Sequence, residues 1–163
     1  RALSLPMALE TASQLAKENN IPTCIMHMQG TPQTMQTAPS YDHVVEEVID
    51  FFRQQIERLI HAGFSYKQIM LDPGFGFGKT LDHNYQMLKH FARFTDFDLP
   101  VMAGMSRKSM IGDLLDRKVD KRLSGDICVH TLASTAGASI LRVHDVKAAM
   151  DVVKIIEKIN QVA

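Results

Sequence analysis

The chain has 163 residues, 45% of them hydrophobic, which is enough for one ordinary domain with a buried core. Basic and acidic residues number 18 each, so no net field attracts nucleic acid or an anionic membrane surface. No apolar run approaches the roughly 20 residues of a membrane helix, and no signal peptide is visible. The composition predicts a cytoplasmic domain that binds neither nucleic acid nor membrane.

Short apolar runs alternate with longer helical patterns along the chain. None of the short runs alternates strictly between apolar and polar residues, so we expect strands that are covered on both faces, as in a parallel sheet. The predicted strands are 23–28, 68–72, 100–105 and 139–143. The predicted helices are 6–19, 42–62, 82–91, 122–136 and 146–159. This alternation predicts an α/β protein.

Two architectures fit the spacing of the predicted strands. Strand starts recur at intervals of about 45, 32 and 39 residues, which fits right-handed β/α units in a small open sheet or in part of a (β/α)₈ barrel. Every predicted strand ends in polar side chains. The active sites of (β/α)₈ barrels lie at the rim that the carboxyl ends of the strands form. These polar groups are His27 and Gln29, then Asp72, then Ser106 to Lys108, then Arg142 and His144. A whole barrel takes about 250 residues, so we predict half a TIM barrel of four parallel β/α units.

The most distinctive segment, 72–79, combines an aspartate with three glycines that alternate with two phenylalanines, Gly76 and Phe77 among them. It fails the Walker A motif and the dinucleotide fingerprint, because a proline and a lysine stand where those motifs need glycine. Glycines let the backbone approach a flat ligand closely, and the rings can flank it. Asp72 has two possible roles: it caps the following turn, or it accepts hydrogen bonds from the N–H edge of a heterocycle.

Two further rim segments are basic. Ser106, Arg107 and Lys108 precede a helical stretch and form a competent anion cradle, although a basic pair is more often solvated surface. Strand alternation sends Arg142 and His144 to the same side, where both can grip a diphosphate. The loops after strands 7 and 8 are the usual phosphate site of this fold, which favours the functional interpretation.

Other chemistries lack candidates. The sequence has no CxxC, HExxH or GxSxG motif, and no clustered ligands with metal-binding spacing. Cys24 and Cys128 stand in apolar segments, so we expect buried, reduced thiols. The segment from Met26 to Gly30 ends the first predicted strand; methionine there is commonly core filler, and His27 fits a satisfied buried histidine.

Taken together, these segments resemble the dihydropteroate synthases, which are pterin-binding enzymes. The matching segments, in order, are MHMQGTPQTMQ, LDPGFGFGKT, GMSRKSMIG, RLSGD and RVHDV. The resemblance implies a transferase of folate biosynthesis, a sulfonamide target, that joins (7,8-dihydropterin-6-yl)methyl diphosphate to 4-aminobenzoate. It also implies a (β/α)₈ barrel that forms a homodimer through helices of its C-terminal half. A corrinoid-linked, pterin-binding methyltransferase domain and a non-catalytic half-barrel are the alternatives; the methyltransferases share the fold and the aspartate but not SRKS and RVHD.

The resemblance also implies roles for individual residues. Asp72 holds the pterin ring, Met26 packs on it, and Lys108 bridges the pterin and the diphosphate. The expected substrate-binding residues are Met26, Asp72, Gly76, Phe77, Ser106, Arg107, Lys108, Arg142, Val143 and His144. Of these, Lys108, Arg142 and His144 are expected to be catalytic, because they assist the departing diphosphate, and Phe77 and Ser106 to line the aminobenzoate pocket.

The same resemblance implies that residues 1–163 form the C-terminal half of a single barrel domain. The family's first four β/α units are missing, and we expect this chain alone to be inactive or incomplete. Mg²⁺ is expected as a cofactor, but its usual asparagine ligand lies in the missing half, so no metal ligand is expected here.

Overall fold

The computed structural model describes residues 13–31, 33, 35 and 37–162, which form alternating helices and short strands. The helices are α1 (residues 13–18), α2 (Val44–His61), α3 (Leu81–Lys89), α4 (Ser109–Leu115), α5 (Leu123–Thr135) and α6 (Val146–Gln161). The strands are β1 (Thr23–Met26), β2 (Ile69–Asp72), β3 (Met102–Ala103) and β4 (Ile140–Leu141). Short 3₁₀ segments occupy Tyr66–Gln68, Phe91–Phe97 and Val119–Lys121. The beginning of the predicted helix 6–19 lies outside the described residues.

The strands pair in parallel. β1 pairs with β2, so that Met26 lies opposite Asp72, and β3 pairs with β4. A parallel bridge between Leu71 and Val101 joins the two pairs, and the Leu71 N–H donates to the Pro100 carbonyl at 2.9 Å. Because the strands are parallel, their carboxyl ends and the loops that follow meet at one edge. We call this edge the rim.

The core lies between the strands and helices α2, α3 and α5. Helix α2 buries apolar side chains at three- and four-residue spacings, and its acidic first turn and basic last turn suit the helix dipole. Gly63, at φ +90°, follows the helix and permits its left-handed termination. The most deeply buried core residues include Val48, Phe52, Leu71, Phe75, Met87, Phe91, Phe94, Val101 and Met105. None of the described helices is both long and apolar enough to cross a membrane.

Two expectations about burial are wrong. Strand β1 is not covered on both faces: Ile25 packs on the core, whereas Cys24 and Met26 are exposed on the opposite face. The reason is that no described element covers that face of β1. Cys24 and Cys128 are free, as predicted, but both are exposed rather than buried.

The observed helices and strands differ from the predicted ones mainly in length. Helices α2 and α5 begin and end within two residues of their predictions. Strands β3 and β4 are much shorter than predicted, because the backbone leaves the ladder soon after the Arg142 N–H bonds the Ala103 carbonyl at 3.0 Å. The residues that follow form the rim loops instead.

Candidate active site

Asp72 ends β2 at the rim and is buried, with 8% of its surface exposed. Its Oδ1 accepts a hydrogen bond from the Gly74 N–H at 2.8 Å, so this oxygen caps the turn that follows. Its Oδ2 bonds none of the described residues. A Cβ added at Gly104 would lie 4.0 Å from Oδ2 and 3.9 Å from Arg142 Cβ, so the carboxylate and the arginine stem flank this glycine. Burial raises the pKa of Asp72, whereas the Gly74 N–H and then the cation Lys108 act to lower it.

Lys108 lies across the loop that follows β2, residues 73–79, which we call the glycine-rich loop. Its Nζ donates to the Phe75 carbonyl and stands 4.4 Å from the centroid of the Phe77 ring. Burial lowers the pKa of Lys108 to about 8; the negative charge of Asp72 opposes the shift, and the positive charge of Arg142 adds to it. The ammonium is therefore a partly desolvated cation that is influenced by the charges of both Asp72 and Arg142.

Met26 ends β1 directly opposite Asp72 in the ladder and is 37% exposed. Paired residues of parallel strands point to the same face, so the thioether and the carboxylate share one face of the sheet. A flat ligand that binds the free oxygen of Asp72 can pack on Met26.

Lys79 braces the glycine-rich loop from inside and is only 4% exposed. Its Nζ donates to the carbonyls of Gly74 at 3.0 Å and Phe77 at 3.1 Å, and lies 2.9 Å from His27 Nδ1. These contacts use all three donors of the ammonium. Sequence reasoning missed this role, because nothing local to Lys79 shows that its partner lies 52 residues earlier.

The loops after β1 and β2 touch backbone to backbone. Gly74 has φ +70°, and a Cβ there would lie 1.9 Å from the His27 carbonyl oxygen. Gly78 has φ +64°, and its Cβ would lie 2.5 Å from the Gln29 carbonyl oxygen. Both positions therefore require glycine for their conformation and for the close approach. Asn84 of α3 accepts from the Gly76 N–H at 2.7 Å and further orders the loop.

The basic segment after β3 divides its side chains between two environments. Lys108 faces the rim, whereas the Arg107 guanidinium pairs with Asp145 through contacts of 3.0 to 3.2 Å. Val143, between the two rim residues of β4's loop, lines a small cavity beside α5 and α6. The structure thus brings Asp72 and Lys108 together at the rim and turns the side chains of Arg107 and Val143 to other partners.

Ser106 joins the rim to helix α5. It is 4% exposed, and its Oγ donates to Asp126 Oδ2 at 2.8 Å. The His144 N–H and His144 Nδ1 lie 3.2 and 3.0 Å from the same hydroxyl. Asp126, which is 3% exposed, also accepts from the Arg107 N–H at 2.9 Å. Asp126 belongs to the RLSGD segment, and an acid on the buried face of a helix is the sequence signal that points to it.

The described part of the chain contains no group of three or more His, Cys, Asp or Glu side chains that could hold a metal ion.

Comparisons with known proteins identify the family of this chain. The family model described as pterin binding enzyme matches residues 4–144. The dihydropteroate synthase of Escherichia coli K12 is 50% identical over 157 residues, 96% of this chain and 54% of that enzyme. The chain therefore belongs to the pterin-binding enzyme family. It spans about half the length of the curated relatives it matches.

Two solved structures of Xanthomonas albilineans dihydropteroate synthase match the fold. The structure with 4-aminobenzoic acid is 38% identical, with a TM-score of 0.86, and the match covers 93% of this chain and 54% of that one. The complex with 7,8-dihydropteroate is 37% identical, with a TM-score of 0.86 and coverages of 94% and 56%. The fold is accordingly α/β of the TIM-barrel type, and the predicted resemblance to this family is confirmed.

The relatives also supply a protein in which the rim can be tested. This protein is a chimera: the E. coli dihydropteroate synthase in which our chain replaces the segment that it matches. We call it the grafted synthase.

Buried His27 is expected to make the protein less stable in mild acid. Burial, and then the positive charge of Lys79, lower the pKa of His27 to about 3. An unfolded histidine titrates at about pH 6.5, so below that pH the unfolded state binds more protons and stability falls as pH falls toward 3. His27→Gln keeps an acceptor for Lys79 but does not titrate. We expect the grafted synthase to lose roughly 1–2 kcal/mol more unfolding free energy than His27→Gln between pH 7 and pH 5. Urea unfolding at both pH values measures this, and equal losses would contradict it.

Proposed function

We propose that this chain is the C-terminal half, four parallel β/α units, of a (β/α)₈ barrel that acts as a dihydropteroate synthase. The whole enzyme condenses (7,8-dihydropterin-6-yl)methyl diphosphate with 4-aminobenzoate and yields 7,8-dihydropteroate and diphosphate. The observation that supports this proposal is the meeting of one free carboxylate oxygen, on Asp72, with the cations Lys108 and Arg142 at one rim. A ligand with two N–H groups on a neutral edge and with an anionic tail matches that arrangement.

The carboxylate recognises the ring. Asp72 keeps Oδ1 on the Gly74 N–H, so Oδ2 is the acceptor for the N–H edge of the pterin. Met26 packs on one face of the ring, and Gly76 permits the ligand to approach the backbone. Recognition therefore uses the last residues of β1 and β2 and the loop after β2.

The cations assist the leaving group. The methylene carbon–oxygen bond breaks with its electron pair on the diphosphate, and the amine nitrogen then forms the new carbon–nitrogen bond and loses a proton. Lys108, Arg142 and His144 stabilise the negative charge that develops on the departing diphosphate. The Lys108 ammonium is well suited to this role because it is already partly desolvated.

The 4-aminobenzoate lies beside Phe77, whose ring is half-buried at the rim. Ser106 is buried, and its hydroxyl is engaged by Asp126 and His144, so we propose that it supports His144 instead of touching the aminobenzoate. Arg107 and Val143 remain proposed binding residues through their backbone, since their side chains have other neighbours. Mg²⁺ remains part of the proposal by resemblance alone.

Assembly and location are part of the same proposal. A groove of about 300 Å³ between α4 and α5 is lined by Leu114, Leu115 and Leu132, all exposed in this chain. Exposed apolar side chains on these C-terminal helices favour a homodimer that buries them. We propose a cytoplasmic homodimer, as the resemblance implies.

Diphosphate release in a coupled assay tests the activity. We expect turnover from the grafted synthase and none detectable from the 163-residue chain alone, because part of the substrate site lies in the other half. The substrate pterin without its diphosphate should bind more weakly, which a methyl-transfer domain would not require. A folded graft that releases no diphosphate would contradict the synthase, and full turnover from the chain alone would contradict the half-barrel.

A further inference from the structure

The hydroxyl of Ser106 has a complete set of hydrogen bonds. A serine hydroxyl has one donor and two acceptor sites. Both oxygens of Asp126 are acceptors: Oδ1 receives the Arg107 N–H and Oδ2 lies 2.8 Å from Ser106 Oγ. The single Ser106 proton therefore points to Asp126. The two remaining sites of the oxygen face the His144 N–H and His144 Nδ1.

These hydrogen bonds of Ser106 determine the tautomer of His144. Since Ser106 has no second proton, the His144 Nδ1 that lies 3.0 Å away must carry the hydrogen and donate it. We infer that Asp126 is a positioning residue that acts through Ser106 to hold His144 in its Nδ1–H form. Nε2, which bonds none of the described residues, is then the nitrogen of the exposed ring that is left to meet a ligand.

The inference deepens the proposed function and rests on it for its purpose. With Nδ1–H committed to Ser106, a proton that His144 gains from solvent or from a diphosphate must arrive at Nε2. The imidazolium then donates from Nε2 to an anion without moving the ring. Asp126 adds a second constraint, because it also holds the N–H of Arg107, whose backbone has φ +58°. A single carboxylate thereby orders both the basic loop and the histidine.

The substitution Asp126→Asn reverses the pattern. The Arg107 N–H has a fixed direction, so it retains the amide oxygen, and the amide NH₂ replaces Oδ2 opposite Ser106. Ser106 now accepts from the amide and from the His144 N–H, and its own proton turns to His144 Nδ1. The inference thus predicts a switch of His144 to the Nε2–H form, which the mere loss of a structural contact would not produce.

Long-range ¹H–¹⁵N spectra of the grafted synthase, labelled in its histidines, read the tautomer directly. The measurement is made near pH 9, where imidazole is neutral, and His144→Gln assigns the signal. His61 is the internal control: its Nδ1 lies 2.7 Å from the Glu57 carbonyl, which only accepts, so it stays Nδ1–H in both proteins. We expect His144 as Nδ1–H in the parent and as Nε2–H in Asp126→Asn.

An Nε2–H form in the parent, or an unchanged form in Asp126→Asn, overturns the inference. If Asp126→Asn does not fold, Ser106→Ala serves in its place. It removes the acceptor, so His144 should show a mixture of both forms, and a retained single Nδ1–H form overturns the inference. Diphosphate affinity is measured in the same samples. We expect it to rise roughly tenfold in Asp126→Asn, because neutral His144 then offers the anion an Nε2–H donor in place of a lone pair. A tautomer switch with unchanged affinity supports the role of Asp126 and instead removes His144 from the proposed diphosphate site.

Discussion

Asp72→Asn in the grafted synthase is expected to leave the melting temperature almost unchanged and to weaken binding of the pterin diphosphate about ten- to a hundredfold or more. The structure separates the two roles of this carboxylate. Asparagine Oδ1 can keep the bond from the Gly74 N–H, so the turn retains its cap. The amide NH₂ replaces the free Oδ2 and meets a ligand donor, which removes a charge-assisted bond of roughly 1.5–3 kcal/mol.

Thermal unfolding and ligand titration, performed on the same preparations, test this expectation. Asp98→Asn is the matched control, because Asp98 is exposed, has φ +52°, and loses the same charge to a residue that suits that conformation. Unchanged affinity in Asp72→Asn would show that Asp72 only caps the turn, and the pterin assignment would fall with it.

Gly74→Ala is expected to cost at least about 3 kcal/mol of unfolding free energy, whereas Gly76→Ala should cost only about 1–2 kcal/mol. Both glycines have similar positive φ, +70° and +76°, so the conformational strain is matched. They differ in what a Cβ would meet. At Gly74 it would lie 1.9 Å from the backbone oxygen of His27, and at Gly76 it would lie 3.1 Å from Cδ of the flexible Lys108 chain.

Urea unfolding of the two variants beside the grafted synthase measures the difference. The backbone of one loop would have to move away from the other in Gly74→Ala, which also releases the Lys79 brace. Similar losses in the two variants would contradict the close approach of the loops after β1 and β2.

Much of the fold follows from local patterns in the sequence. The three- and four-residue spacing of apolar side chains in α2 is a property of neighbouring residues, so its existence and approximate ends are predictable. The same holds for Asp72 at the end of β2, because a polar residue after an apolar run marks the point where a buried strand stops. The ends of β3 and β4 are less predictable, since they depend on where a partner strand stops pairing.

The partners of the rim residues depend on contacts between distant parts of the chain. Lys79 meets His27 across 52 residues, and Arg107 meets Asp145 across 38, because parallel strands bring their following loops to one edge. No local pattern records which loop will be the neighbour. Sequence reasoning therefore expected Arg107 to be free for a ligand and gave Lys79 no part.

By itself, the sequence determined the family, the order of helices and strands, and the set of polar residues at the strand ends, since periodicity and motifs are local properties. Only the tertiary structure decided what each of those residues does with its hydrogen bonds. One oxygen of Asp72 accepts from the turn that follows β2, and the other bonds none of the described residues. Ser106 donates its single hydroxyl proton to Asp126. The physical reason is that a donor or acceptor is committed by distance and direction, and both arise only when strands and helices pack together.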